Sequence, residues 1–148
     1  MKTILVPVDL SVATTRVCDA ACAFAKLIHA RLVLVHVVLP QPILPADFFA
    51  FDASAVAAAA VAAEKRAAGR LRGLARRCAG KKISVQTVQS TGQPAGEILN
   101  HASARKADYI VIGSHGHGAA YDLLVGSAAQ GVLRRASCPV LVIPIRRR

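Results

Sequence analysis

The sequence predicts a doubly wound α/β fold, and three observations carry that prediction. Apolar, β-branched runs of strand length alternate with stretches whose small and apolar residues recur every three or four positions. The runs are apolar without alternation, as parallel strands buried on both faces must be. Glycines stand where one such run ends (Gly113, Gly116) and where a later helical stretch begins (Gly126).

The elements follow in order. Residues 3–8 form a first apolar run ending at Asp9, and Ser11 offers an N-cap for a helix over 14–29. Cys18, Ala21, Cys22, Ala25 and Ile28 share one face of that helix. Residues 32–38 are a second continuous apolar strand. Strand, helix, strand with this pattern implies a right-handed parallel crossover.

Residues 39–54 break the rhythm. Pro40, Pro42 and Pro45 forbid regular structure, while Phe48, Phe49 and Phe51 make an apolar loop suited to a lid, an interface or a packing flap. Residues 53–79 read as an Ala-rich, then Arg-rich helix, weakened in its middle by Gly69 and Gly73. Residues 82–89 alternate and read as an edge strand. Pro94, placed in a first turn, opens a helix whose inner face is Ile98, Leu99 and Ala102. Residues 107–112 are the fourth strand, Ser127 caps a helix over 127–136, and residues 139–145, from Pro139 to Ile145, are the last strand. Five strands thus alternate with four helices.

Composition bounds the function. At 148 residues the chain suits one domain, taken as 1–148. No apolar run reaches the roughly 18–20 residues of a membrane span. The first residues lack a secretory pattern because Asp9 cuts the apolar run short, so a cytoplasmic location is expected. Cys18, Cys22, Cys78 and Cys138 show no paired spacing. They read as small buried residues in a reducing compartment, with zinc or a redox pair as the alternatives.

Lys and Arg number 19 against 8 Asp and Glu, a formal charge of +11. Between Glu64 and Lys82 stand eight cations and one anion, and Arg146-Arg147-Arg148 closes the chain. Such a field favours anionic partners, nucleic acid included. The run lies on the wet face of its helix without interleaved aromatics, so a solvated face is the simpler reading.

The glycines point to a site. A strand end and a helix start are where an α/β protein offers backbone N–H groups and a positive helix end to an anion. If strands one and four are central neighbours, the Val8-Asp9 turn and the Gly113–Gly116 turn face one crevice at the switch point. A phosphate site for a nucleotide is the expectation.

The motif Gly113-x-x-Gly116, nine residues, Gly126-Ser127 resembles the ATP-binding signature of the universal stress protein family. Ile4-Leu5-Val6-Pro7-Val8-Asp9, His36-Val37, Gly92-x-Pro94 and Cys138-Pro139-Val140-Leu141-Val142 are similar to that family too, so the resemblance covers nearly the whole chain. It implies a single-domain, Rossmann-like open parallel sheet of order 3-2-1-4-5 with helices on both faces. It further implies a homodimer through the last strand and ATP, with AMP or ADP as alternatives and Mg²⁺ alongside, between strands one and four.

By position, the resemblance sets Pro7, Val8 and Val37 against the adenine through apolar contact and backbone groups, and Asp9 near the ribose and any metal. Gly113 and Gly116 flank the ribose and α-phosphate, and Gly126, Ser127 and Ala128 meet the outer phosphates. Ile112, His115 and His117 complete the site. Leu10 stands where the family most often has Gly after the Asp, and His117 where Arg or Lys is frequent. Two histidines at i, i+2 are poor zinc ligands without a third. The His115-Gly116-His117-Gly118 stretch follows the fourth strand, not the first, which sets aside a nucleotidyl-transferase box. No GxxxxGK[ST] loop or paired nucleophile and base is present, so hydrolysis is expected to be slow or absent. The expected role is a nucleotide-responsive dimeric regulator with a protein partner, or a stress-tolerance factor. Nucleic-acid association and slow ATPase activity are the alternatives.

Overall fold

The computed structural model describes residues 1–40, 53–114 and 125–145. The loop phenylalanines Phe48, Phe49 and Phe51, the residues His115, Gly116 and His117, and the terminal Arg146-Arg147-Arg148 lie outside them. The elements are β1 (Lys2–Pro7), α1 (Thr14–Ile28), β2 (Ala30–Val38), α2 (Ala53–Ala79), β3 (Val85–Thr91), α3 (Pro94–Ala104), β4 (Tyr109–Gly113), α4 (Ser127–Arg135) and β5 (Val140–Ile143). The strands form one five-stranded sheet in the order β3-β2-β1-β4-β5, parallel throughout.

The central strands are apolar on both faces because helices cover both. Ile4, Leu5 and Val6 of β1, and Leu32, Val33, Leu34 and Val35 of β2, have no exposed surface. Alternation sends their side chains to two separate cores. Ile4, Val6, Leu32, Leu34 and Val111 pack with Val17, Ala21 and Ala25 of α1 and Leu71 of α2. Leu5, Val33, Val35, Ile110 and Ile112 pack with Ile98 and Ala102 of α3 and Ala129 and Val132 of α4. Each fully buried Leu or Ile contributes on the order of 1.5–3 kcal/mol. β3 lies at the edge, as its alternation predicts, with Gln86 and Thr87 exposed.

Several boundaries differ from expectation. Ser11 does not cap α1: the helix starts after Ala13, and the Ser11 hydroxyl accepts from the Ala13 N–H at 3.2 Å. α1 stops at Ile28 because His29 turns left-handed at φ 52°, which lets β2 begin at Ala30. The third strand begins at Val85, not at residue 82, because Lys82 also turns left-handed and its N–H returns to the Ala79 carbonyl at 2.8 Å. Ser127 is the first residue of α4 and not its cap, since Gly126 holds the extended cap position. The last strand is confined to Val140–Ile143.

Cys18, Cys22 and Cys78 are buried in the α1–α2 core. Burial pushes the Cys22 thiol up to about 12, and the Cys18 hydrogen bond with burial raises Cys78 further. Cys18, served by that bond, is lowered. All are free thiols, and no cluster of three His, Cys, Asp or Glu able to hold a metal occurs among the described residues. The small-buried-residue reading fits these three. Cys138, on the other side of the sheet, is only half-buried. No described helix is long and apolar enough to cross a membrane.

Candidate functional site

β1 feeds α1, then β2 and β3 extend the sheet in one direction, whereas β4 and β5 extend it in the other. The winding therefore reverses between β1 and β4, and the crevice beyond their carboxyl ends is where such sheets bind ligands. Ile4 lies beside Tyr109 and Leu5 beside Ile110. Continuing that register brings Pro7 level with Ile112 and Val8 level with Gly113.

Asp9 is held by its own loop. One carboxylate oxygen, Oδ1, accepts from the Ser11 N–H and from the Thr14 hydroxyl, both at 3.0 Å, an Asx-type turn that shapes the entry into α1. Between them Leu10 sits at φ 60°, a left-handed conformation that costs a residue with a Cβ roughly 1–2 kcal/mol. That explains the frequent glycine of the resemblance. Here Leu10 offsets the strain by burying its side chain, 5% exposed, in the α1–α2 core.

The expected apolar wall divides between the two faces. Val37 packs with the α3–α4 core, where Ile112 also lies, and alternation sends Pro7 to that same side. Val8 points the other way, into the α1–α2 core, so only its backbone faces the crevice. That backbone is engaged: its N–H donates to the Val35 carbonyl at 2.8 Å, and its carbonyl receives the His36 ring at 2.9 Å. A carbonyl can only accept, so Nδ1 of His36 carries the proton.

The two glycine positions are brought together by a residue that sequence reasoning passed over. Ser114 is 7% exposed and ties three elements at the end of β4. Its N–H donates to the Ile143 carbonyl at 2.8 Å, its carbonyl accepts from the Gly126 N–H at 2.7 Å, and its hydroxyl accepts from the Ile145 N–H at 3.0 Å. The chain that leaves β4 therefore returns at Gly126 within one hydrogen bond of its departure. α4 begins there, with its first backbone bond from Gln130 to the Gly126 carbonyl at 2.9 Å. Helix geometry leaves the N–H groups of Ser127, Ala128 and Ala129 without intrahelical acceptors. The Gln130 side chain braces the turn by donating to the Val125 carbonyl at 2.9 Å.

A strand end, a glycine and a helix N-terminus thus meet at the switch point, opposite the Pro7–Asp9 turn. The arrangement suits an anion on the α4 side and an apolar ring on the Pro7, Val37 and Ile112 side.

The universal stress protein family model matches residues 1–144. The chain belongs to the universal stress protein family. The universal stress protein YxiE of Bacillus subtilis is 36% identical over 67 residues, a segment that spans 45% of either chain. The chain thus spans less than half the length of the curated relatives it matches. Among solved structures, the hypothetical protein MJ0577 superposes with a TM-score of 0.82 at 23% identity, covering 99% of this chain and 98% of its own. The universal stress protein UspA of Lactobacillus plantarum gives 0.74 at 28%, covering 96% and 97%. Two further members were solved with nucleotide. One, in complex with cAMP, has a TM-score of 0.71 at 22% identity and coverage of 97% and 96%. The other, from Archaeoglobus fulgidus in complex with dAMP, has 0.69 at 20% and coverage of 97% and 98%.

Proposed function

We propose that the crevice between β1 and β4 binds an adenine nucleotide, ATP foremost, and that the protein is a nucleotide-responsive homodimeric regulator with little or no turnover. The observation that carries this reading is the Ser114–Gly126 hydrogen bond of 2.7 Å, which sets the end of β4 against the N-terminus of α4. Family membership and the cAMP and dAMP complexes of similarly folded proteins support the adenine base.

In this reading Pro7, Val37 and Ile112 face the base, the Val8 backbone borders it, and Asp9 lies towards the ribose. Gly113 and Gly116 flank the ribose and α-phosphate, and Gly126, Ser127 and Ala128 receive the outer phosphates. His115 and His117 lie along that path. Mg²⁺ would ride on the phosphates with few protein ligands, as this hard cation does beside nucleotides. With one Asp9 oxygen held by Ser11 and Thr14, that carboxylate serves the loop. The residues 1–148 act as one domain, and a cytoplasmic location is consistent with the proposed role.

For the dimer, β5 offers an edge with Leu141 41% exposed, where a second copy can add its own edge strand. Leu141→Lys is expected to shift the protein towards monomer in sedimentation. The nucleotide reading is tested by thermal shift with millimolar ATP and Mg²⁺, and by mass spectrometry of co-purified nucleotide. A rise in Tm that Gly126→Val removes is expected. No shift with ATP, ADP or AMP overturns the reading.

A further inference from the structure

The nucleotide crevice leaves the strongest charge feature of the chain unused. α2 buries a narrow stripe, Leu71 and Cys78 flanked by Ala67, Leu74 and Ala75, against the sheet and α1. At 3.6 residues per turn its cations fall into two outward rows, Lys65, Arg72 and Arg76 on one side and Arg66, Arg70 and Arg77 on the other. Gly69 and Gly73 lie between the rows. A Cβ added at Gly73 would meet nothing within 4 Å, and one at Gly69 only the tip of Arg72 at 4.0 Å. The face is therefore a shallow trough with charged walls and a floor of bare backbone.

Among the described residues, little neutralises it. Asp19 of α1 bridges Arg77 at 2.8 Å and Lys81 at 2.6 Å. The Arg70 guanidinium donates to the Leu10 carbonyl. Among the described residues no carboxylate pairs with Lys65, Arg66, Arg70, Arg72 or Arg76. Beside the trough a cavity of about 300 Å³ opens between α2 and the first turn of α1. Arg70 and Arg77 line it opposite Ser11 and Thr14.

We propose that the outward face of α2 over residues 65–79 docks the phosphate backbone of double-helical nucleic acid, without regard to sequence. Three observations select this partner. A protein partner needs apolar or aromatic anchors at the centre of its interface. The large exposed apolar residues of α2, Val56 and Val61, both lie before the cationic stretch. A single strand is held by aromatic stacking platforms, and α2 has no aromatic residue. Guanidinium groups in two rows over a small-residue floor instead match a surface of regularly spaced phosphates. The cationic stretch is about 22 Å long at roughly 1.5 Å per residue, the length of about six base pairs at roughly 3.4 Å each.

The test is fluorescence anisotropy of a labelled 30-base-pair duplex with the full chain, titrated from 50 to 200 mM KCl. Micromolar binding that weakens about 500-fold across that range is expected for five phosphate contacts. Arg72→Gln with Arg76→Gln, changes a helix tolerates and circular dichroism can verify, should weaken binding at least tenfold. They should also lower the salt slope by about 2, equally for unrelated sequences. Four outcomes overturn the proposal. One is no binding at 50 mM KCl, and another is tighter binding of a single strand than of duplex. A third is poly-glutamate competing as well as duplex at equal charge, which would indicate an acidic protein segment. The last is binding unchanged in the α2 variant but lost when Arg146, Arg147 and Arg148 become Gln.

Discussion

The two helical layers of this protein cover the same sheet by different means. On one side α3 and α4, 11 and 9 residues long, meet at very close range: a Cβ placed on Gly131 of α4 would come within 2.7 Å of the Ala95 Cβ on α3. On the other side α2 runs for 27 residues, buries one stripe and leaves most of its circumference to solvent. The first layer is held by the fit of neighbouring backbones. The second is held by one apolar stripe, buried thiols and exposed ion pairs. A layer of the first kind tolerates no added atom and can carry a precisely placed helix N-terminus. A layer of the second kind keeps a free face.

The sharpest contrast is expected from truncating one buried side chain in each layer. Ile98→Ala on α3 should cost about 2–5 kcal/mol in urea denaturation, near the upper end because its close-packed surroundings cannot collapse. Leu71→Ala on α2 should cost less, since the helix beside an open cavity can settle inward. The reverse order would remove the asymmetry. Glycine substitutions should then differ in sign. Gly131→Ala is expected to destabilise by about 1–3 kcal/mol through overpacking against Ala95. Gly73→Ala, with open space around it, should stabilise by about 0.5–1 kcal/mol. Thermal melts of both variants decide the point.

Smaller effects separate the layers by pH and salt. On α3, burial and the nearby Arg105 hold His101 below its ordinary 6.5, and Arg105 donates to its Nδ1 at 2.9 Å. The folded protein keeps His101 neutral while the unfolded chain takes up a proton near 6.5, so stability falls as pH drops below that value. His101→Gln should flatten the fall of Tm as pH drops below about 6.5. On the other layer, the hydrogen bond from Lys81 and then that from Arg77 hold the Asp19 carboxyl below 3.8. Its contribution is present at neutral pH and is lost only as pH falls through the lowered value. Because Asp19 is 40% exposed, Asp19→Asn should cost less than about 1 kcal/mol, and less still in 1 M salt.

What could be read from the sequence follows the same division. β1, β2 and β4 are legible because burial on both faces leaves an unbroken apolar run. α2 is legible because its buried stripe and its cations recur at helical spacing. The strand order is implied by the family resemblance, and the observed pairing of β1 with β4 at the centre of the sheet bears it out. Ends are harder to read. Ser11 and Ser127 are residues of capping type, yet Ala13 and Gly126 hold the cap positions, because backbone geometry settled by the sheet overrides a hydroxyl's preference. Val8 faces the α1–α2 core as alternation requires, which leaves its backbone, one of the two kinds of contact expected of the Pro7, Val8 and Val37 wall, towards the crevice. Ser114 gives no signal at all. Its partners stand 12, 29 and 31 residues away, and no local pattern marks a hydroxyl that will meet them.

Ser114 has a mechanical consequence. It is a rigid node at which the end of β4, the threshold of α4 and the rim strand β5 share a single residue. A pull on Gly126 is transmitted to Ile143 and Ile145 through two short bonds, without passing through the body of the sheet. If a ligand seated at α4 favours one setting of that node, a body docked along the rim must favour or oppose the same setting. Each then changes the other's affinity by the same factor. Ser114→Ala, by cutting the hydroxyl's link to Ile145, would loosen this lever while leaving both of its ends in place.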